Sequence, residues 1–369
     1  MDFGLALFKS GRSGEQNIAL SPYSLSTALA MTLAGARGDT EKEMLDALRL
    51  TLPAERVHPA LNSLALHLQE AADTSQWRGV QLRMHQVDSL WGQRGERYVP
   101  QFLDLLARDY GAGLRLVDNL SSEEARLAIN AWAKEETAGQ IPELLPPGAL
   151  TRPDQIYLVL ANALTLSAPW KWPFAVESTK PGSFHLPDGT QHEVPMMRQA
   201  MPFPYGEGAD YQAIELPYVG EEFGMLILLP KEGKFEEFVD GLDEQRLHEI
   251  VAGLGDNELM PLTLPRFSVT WSGPLKQLLE QTGMRLAFGG ADFSGMNGSG
   301  GISVDEVYHA ARIDVDEVGT EAAAGSLVVT AAGLGQKEMV VDRPFLFLIR
   351  HREAGALLFL GQVVDPAAP

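Results

Sequence analysis

Residues 316–335, near the C-terminus, constrain the possible folds of this chain more than any other segment. They join two strand-like patterns, 302–315 and 340–350, and a connector of this length is unusual inside a compact domain. After Glu321 there is no charged residue until Lys337, and most residues between them are small or β-branched. A surface loop with so few polar side chains needs a specific explanation.

Three interpretations of this segment compete. Residues 320–324 begin like a short helix, because alanine is the best helix former, but Gly325 and the β-branched run 328–330 oppose its continuation. A flexible linker would be richer in Ser, Lys, Glu and Gln. A strand has a period of two and would place small side chains on one face, namely Thr320, Ala322, Ala324, Ser326 and Val328. The pattern favours a β-strand that is held outside a sheet and that a gap in the sheet can accept.

The order of the predicted elements indicates an α+β fold. In the first third, Ser21-Pro22 starts a helix that is apolar on nearly every face over 23–36, and capping boxes predict further helix starts at 40–43 and 121–124. Later, short β-type runs dominate, at 156–166, 224–230, 262–271, 302–315, 345–350 and 356–364. Because helices precede strands without regular alternation, we expect one mixed domain over residues 1–369.

Composition excludes several classes of partner. The net charge is −20 and the basic residues are scattered, so nucleic acid and anionic membranes are poor partners. No stretch approaches the roughly 18 apolar residues of a membrane span. The chain has no cysteine, and therefore no disulfide or thiol nucleophile. The N-terminus shows no signal-peptide pattern, but a trimmed secreted chain would look the same, so localisation stays unknown.

No motif of an enzyme or a metal site is complete. His248-Glu249 begins like a zinc-binding helix, but Ala252 stands where the second histidine ligand is needed. The glycine-rich run 295–301 lacks the Lys-Ser/Thr pair that ends a phosphate-binding loop. A Ser/His/Asp triad stays open, because its members need not be close in sequence. We expect no enzymatic activity, no metal and no cofactor.

Runs of residues spread along nearly the whole chain match one family pattern. Residues 317–324 read Glu-Val-Gly-Thr-Glu-Ala-Ala-Ala, and residues 341–347 read Val-Asp-Arg-Pro-Phe-Leu-Phe. Further matching runs are 17–26, 35–40, 130–141, Asn162 with Trp170 and 173–174, 196–197, 224–230 and 291–296. Together, and in this order, they resemble the serpin family, with a hinge similar to that of the inhibitory members.

The resemblance implies a serpin-like fold of three β-sheets and about nine helices, with an exposed reactive-centre loop at about 317–340. It also implies a serine protease inhibitor that acts as a suicide substrate, in which the cleaved loop inserts into the central sheet and traps the acyl-enzyme. The native state would then be metastable. The alternative is a non-inhibitory serpin-like binding or chaperone protein. The expected partner is a target serine protease, held covalently by a monomer.

The resemblance also assigns site residues. The hinge would comprise Glu317, Gly319, Thr320, Glu321, Ala322, Ala323 and Ala324. A sheet-opening cluster would comprise Ser21, Ser24, Asn162 and His309, with Trp170 near the point of first insertion. For His309, residue chemistry alone leaves an ordinary core histidine equally open.

Family-like spacing places the reactive bond at Gly333-Leu334, with Ala331, Ala332 and Gly335 as neighbouring candidates. Leucine suits chymotrypsin-like proteases, and alanine suits elastase-like or subtilisin-like ones. No Arg or Lys lies among residues 331–335, which contain all of the candidate reactive bonds, so coagulation-type proteases are poor targets. The region 61–83 has only two arginines, against Glu70 and Asp73, and we expect no heparin-type activation.

Overall fold

A computed structural model describes residues 1–77, 80–150, 158–255, 259–320 and 337–368. Within these ranges the chain forms ten α-helices: α1 (Asp2–Gly11), α2 (Pro22–Leu33), α3 (Gly38–Ala47), α4 (Ala54–Thr74), α5 (Pro100–Tyr110), α6 (Glu123–Glu136), α7 (Phe235–Asp240), α8 (Glu244–Ala252), α9 (Lys276–Gln281) and α10 (Ser294–Asn297). No helix in the described ranges is long and apolar enough to cross a membrane.

The strands are numbered in chain order: β1 (Ile18–Leu20), β2 (Gln76–Trp77), β3 (Val80–Gln81), β4 (Arg83–Gln93), β5 (Leu114–Val117), β6 (Leu158–Pro169), β7 (Lys180–His185), β8 (Gln191–Met201), β9 (Tyr205–Glu207), β10 (Tyr211–Pro217), β11 (Phe223–Pro230), β12 (Met260–Pro265), β13 (Phe267–Pro274), β14 (Val304–Val315), β15 (Gly319–Thr320), β16 (Met339–Val340), β17 (Phe345–His351) and β18 (Leu357–Val363).

Three sheets carry the fold. The central sheet has the order β13-β14-β15-β6-β4-β5, a second six-stranded sheet has the order β1-β18-β17-β11-β10-β9, and a four-stranded sheet has the order β16-β12-β8-β7. One face of the central sheet packs against α2 and the second sheet, and α6 covers part of the other face. The α+β prediction, with three sheets and about nine helices, is confirmed.

Two helix starts differ from the predicted capping boxes. Helix α3 begins at Gly38, and the side chains of Thr40 and Glu43 accept hydrogen bonds from distant backbone N–H groups, those of Asp292 and of Arg285 and Leu286. Helix α6 begins one residue later than predicted, because Ser122 caps it through the Ala125 N–H. The predicted capping box at 40–43 is wrong, because its two side chains bind distant backbone groups and do not cap the helix. By contrast, Ser21 caps α2 as predicted, accepting from Ser24 N at 3.2 Å.

The run 262–271, predicted as one strand, is two strands in two different sheets. The chain passes from β12 to β13 at Arg266, whose backbone N–H donates to Pro195 O at 2.9 Å. Sequence periodicity does not reveal this change of sheet, because both halves are apolar. The break places the Arg266 side chain next to the segment that follows β14.

Candidate functional site: a partly open central sheet

The central sheet is closed at one end and open at the other. Strands β14 and β6 run parallel and pair directly, from Val304↔Leu158 to Ala311↔Leu164. Further along, β15 lies between them and is antiparallel to both, with Val315↔Thr320 on one side and Thr320↔Ala168 on the other. The first two residues after the turn from β14 therefore already occupy a place inside the sheet.

A tight turn returns the chain into this gap. The Asp316 side chain accepts from the backbone N–H groups of Val318 and Gly319 at 2.8 and 3.1 Å, and Asp316 N donates to Gly319 O at 3.0 Å. Glycine is required at 319, because an added Cβ would lie 2.2 Å from the carbonyl oxygen of Ala168. The glycine lets the returning strand approach β6 closely enough to pair with it.

Aromatic side chains hold the inserted end of the hinge. Thr320 is fully buried, and its hydroxyl lies 2.8 Å from the Tyr218 hydroxyl. The Tyr218 ring stacks on Trp170 with centroids 4.7 Å apart, and the indole N–H of Trp170 donates to Asp316 O at 3.0 Å. Trp170 therefore contacts both the turn and the wall of the gap.

A buried carboxylate anchors the base of the hinge. The Glu317 side chain is 4% exposed and pairs with the Arg266 guanidinium at 2.5 Å, while the hydroxyl of Thr179 also donates to it. Burial alone would raise the pKa of Glu317, but the hydrogen bonds from Arg266 and Thr179 outweigh it and leave that pKa below its usual value. Glu317 therefore stays ionised, and its ion pair fixes where the hinge begins.

The structure reaches only part of the predicted hinge. Glu317, Gly319 and Thr320 are described, whereas Glu321, Ala322, Ala323 and Ala324 lie outside the described residues, as do the reactive-bond candidates Ala331, Ala332, Gly333, Leu334 and Gly335. The prediction that the segment stays wholly outside the sheet is wrong for Gly319 and Thr320. Inside the gap, β6, β14 and Tyr218 provide hydrogen-bond partners for their backbone groups and for the Thr320 hydroxyl. Outside the sheet, water would have to provide these partners.

Where β6 and β14 still pair directly, a polar cluster lies beneath the sheet. Asn162 and His309 are register partners across these two strands, and both are fully buried. Ser21 and Ser24, at the start of α2, are also fully buried. The structure thus brings together these four residues, which the sequence assigned to one cluster. Trp170 lies apart from them, just beyond the far end of β6.

The hydrogen bonds of the cluster fix the histidine tautomer. The backbone N–H of Ser21 donates to His309 Nε2 at 3.1 Å, so Nε2 carries no proton. Nδ1 is then protonated and donates to Asn162 Oδ1 at 2.6 Å. Burial lowers the pKa of His309 to about 3, so the ring is neutral at physiological pH. A neutral ring can bridge α2 and β6, because it offers one donor and one acceptor.

The cluster includes a carboxyl group that the sequence analysis missed. Asp88 on β4 pairs in register with Asn162, and Asn162 Nδ2 donates both to Asp88 Oδ1 and to Ser24 Oγ. Gln86 Nε2 donates to the other oxygen of Asp88 at 2.5 Å. Burial raises the pKa of Asp88 to about 7. The available signal was an acidic residue between the apolar positions Val87 and Leu90 in a strand pattern.

Comparison with known proteins agrees with this geometry. Residues 1–366 match the family model described as serpin (serine protease inhibitor). Leukocyte elastase inhibitor of Sus scrofa is 36% identical over 380 residues, covering 99% of this chain and 97% of the relative. The native-state crystal structure of tengpin, a thermophilic serpin, has a TM-score of 0.88 at 26% identity, covering 99% of this chain and 92% of that one. Human thyroxine-binding globulin gives the same TM-score and identity, covering 100% and 97%.

The chain therefore belongs to the serpin family of serine protease inhibitors. The match spans nearly all of it, so the central sheet and the segment returning into it correspond to the family's fold as a whole.

We expect Asp88→Asn to stabilise the protein at alkaline pH more than at acidic pH. The carboxyl ionises near pH 3.8 when exposed and near pH 7 when folded, so wild type loses stability as the pH rises through this window. The asparagine has no such loss. The thermal midpoint of the variant relative to wild type should rise by a few degrees between pH 5 and pH 8.

Asp104→Asn is the matched control for this measurement, because Asp104 is exposed on α5 and the substitution removes the same charge. Its midpoint should follow wild type at both pH values. An equal difference between Asp88→Asn and wild type at pH 5 and pH 8 would contradict a raised pKa for Asp88.

Proposed function

We propose that this chain inhibits serine proteases as a suicide substrate, by inserting its cleaved loop between β14 and β6. The observation that carries the proposal is the pairing of β15 with both strands at once. Two residues of the returning segment already have the antiparallel register of an inserted strand. Insertion would extend this register towards the other end of the sheet by separating β14 from β6 where they now pair directly.

The two registers, extended independently, agree with each other. Along β6, partners of the inserted strand follow from Thr320↔Ala168, and along β14 they follow from Thr320↔Val315. Six residues further on, both registers place Ser326 beside the polar cluster, opposite Asn162 on β6 and His309 on β14. Since these two residues are themselves register partners, one strand fits between them without a shift.

The chemistry of Ser326 suits that position. Insertion separates His309 from Asn162 and breaks the hydrogen bond that now joins them. A buried polar group left without a partner costs about 1–3 kcal/mol. The Ser326 hydroxyl can both donate and accept, so it can restore partners to the separated groups. Alternation from Thr320 puts only small or uncharged side chains at the other inward positions up to residue 330, namely Ala322, Ala324, Val328 and Thr330.

The two ends of the segment are anchored differently. On the far side of the proposed bond, Lys337 Nζ pairs with Glu207 at 2.7 Å, and β16 pairs with β12 in the four-stranded sheet. On the near side, β15 already points into the gap. A cut between them frees the near arm to extend down the sheet while the far arm stays in place.

In the proposed reaction the protease supplies all the catalysis. Its serine oxygen bonds to the carbonyl carbon of Gly333, the peptide bond to Leu334 breaks, and Leu334 leaves with a proton as a new amine. Thirteen residues at ~3.3 Å each then carry the acylated Gly333 roughly 40 Å from Thr320 along the sheet. We infer that chymotrypsin-, elastase- or subtilisin-like proteases are the targets, trapped as a covalent complex by a monomeric one-domain inhibitor.

One observation favours a second candidate function. Thyroxine-binding globulin, whose name describes a binding protein, matches this structure as well as tengpin does. A non-inhibitory binding or chaperone protein would be cut by a protease without trapping it. The hinge composition favours the inhibitor, because a protein that need not insert its loop has no need of small inward side chains.

We expect Ala322→Arg to turn the inhibitor into a substrate. An arginine at this inward position would be buried without a partner on insertion, at a cost of several kcal/mol, so hydrolysis of the acyl-enzyme would outrun insertion. Wild type incubated with chymotrypsin, elastase or subtilisin should form a complex that survives SDS. The variant should be cut at the same bond and release active protease.

Ala323→Arg is the matched control, because alternation places residue 323 on the opposite face of the inserted strand. It should trap protease far better than Ala322→Arg does. Equal trapping by both variants would refute the register of insertion, and cleavage of wild type without any complex would favour the binding-protein alternative.

We expect Ser326→Ala to weaken the cleaved form and not the intact form. Cleavage should raise the denaturation midpoint in guanidinium chloride, because insertion completes the sheet, and the variant should lose about 1–3 kcal/mol of stability in the cleaved state only. Thr330→Val is the control, because it removes a hydroxyl from an inward position opposite Leu158. Its cleaved form should lose much less stability than cleaved Ser326→Ala does. A cleaved Ser326→Ala as stable as cleaved wild type would refute the contact with Asn162 and His309.

A further inference from the structure

At the end of the central sheet away from β15, strand β14 contains one residue more than β6 does. Val304 pairs with Leu158 and Glu306 pairs with Val159, so Asp305 is the extra residue of a β-bulge. Beyond Glu306 the two strands pair one to one. The ladder between β14 and β6 is therefore least regular at its last described pair.

The side chain of Asp305 supplies a hydrogen bond at this irregular pair. Leu158 is the first residue of β6 and is fully buried, and its backbone N–H donates to Asp305 Oδ2 at 3.1 Å. A buried N–H left without an acceptor would cost free energy comparable to a lost hydrogen bond. Asp305 itself is only half-buried. Its carboxylate takes the place that a backbone carbonyl has in a regular ladder.

The register of an inserted strand gives the same N–H a different acceptor. Trp170 N donates to Val318 O at 2.9 Å, so these two residues form a hydrogen-bonded antiparallel pair, and such pairs recur at every second residue. Continued along β6 through Thr320↔Ala168, the pattern makes residue 330 and Leu158 a hydrogen-bonded pair as well. The backbone carbonyl of residue 330 would then accept from the Leu158 N–H in place of the Asp305 carboxylate.

Insertion would also remove the reason for the bulge. In the closed sheet β14 has to match β6 directly, and residues 304–311 lie opposite residues 158–164, which is eight residues against seven. An inserted strand would pair with each of the two strands separately, so neither would have to match the other. The bulge and the hydrogen bond between Asp305 and Leu158 therefore belong to the closed sheet alone.

We propose that Asp305 is a positioning residue that holds the far end of the central sheet closed in the intact protein and releases it when the cleaved loop inserts. The inference rests on the proposed function, because it uses the register of the inserted strand. Leu158 lies in the last described pair between β14 and β6, so its bond to Asp305 is the one that full insertion breaks at the end. A bond that exists only in the closed sheet opposes the entry of the final residues of the loop.

Amide hydrogen exchange, resolved by residue, tests the proposal on the intact and the loop-cleaved protein. In intact Asp305→Ala the Leu158 N–H should exchange about tenfold faster than in wild type, because it loses a hydrogen bond to a charged group. Asp305→Asn is the conservative variant, since its side-chain oxygen can still accept, and it should keep most of the protection. After cleavage all three proteins should protect Leu158 equally. The Leu90 N–H on β4 is the control and should exchange alike in every sample.

Equal protection of Leu158 in intact wild type and intact Asp305→Ala would overturn the proposal. A general structural role of Asp305 would instead leave Leu158 less protected in both forms of Asp305→Ala, and this result would refute its release on insertion. The stability of cleaved wild type then separates two failures. If cleaved wild type is more stable than the intact protein, insertion stands and only the role of Asp305 fails. If it is no more stable, the proposed function fails as well.

Discussion

The incomplete pairing of β14 with β6 is the constraint on which the rest of the structure depends. Two parallel neighbours meet directly at one end of the central sheet and are separated by β15 at the other. Antiparallel pairing is slightly more stable per residue than parallel pairing. An antiparallel strand that continued from β15 would replace one parallel pairing with two antiparallel ones. The sheet therefore holds a place for a strand that the described chain fills with only two residues.

The point where the two strands meet is also where polar groups are buried. Asn162 and His309 hold β6 and β14 together, while Ser21 and Ser24 tie the same point to α2 and Asp88 ties it to β4. Hydrogen bonds in a low-dielectric interior are strong when every group is paired and costly when one is not. A cluster of this kind holds the sheet closed, yet it can pair again if an incoming side chain brings a hydroxyl group. An apolar cluster at the same place would favour closure without offering any such exchange.

Several features of the site could be predicted from the sequence, and the failures have physical causes. The cluster residues Ser21, Ser24, Asn162 and His309 could be picked out because their motifs recur in a family, and the structure places them together. Asp88 was missed because no motif surrounds it, and only its register with Asn162 gives it a role. The capping box at Thr40 failed because its side chains pair with a segment about 250 residues away. The prediction of a single strand over 262–271 was wrong, because two consecutive apolar strands have the same sequence pattern as one long strand.

The sequence by itself determined the class of the fold, the helix cap at Ser21 and the small side chains at alternate positions of the returning segment. These are properties of local patterns, which a reader of the chain can see without knowing which strands are neighbours. Only the tertiary structure decided that Gly319 and Thr320 lie inside the sheet, that Glu317 pairs with Arg266, and that Asp88 belongs to the polar cluster. Each of these depends on register and contact between segments far apart in sequence, which no local pattern contains.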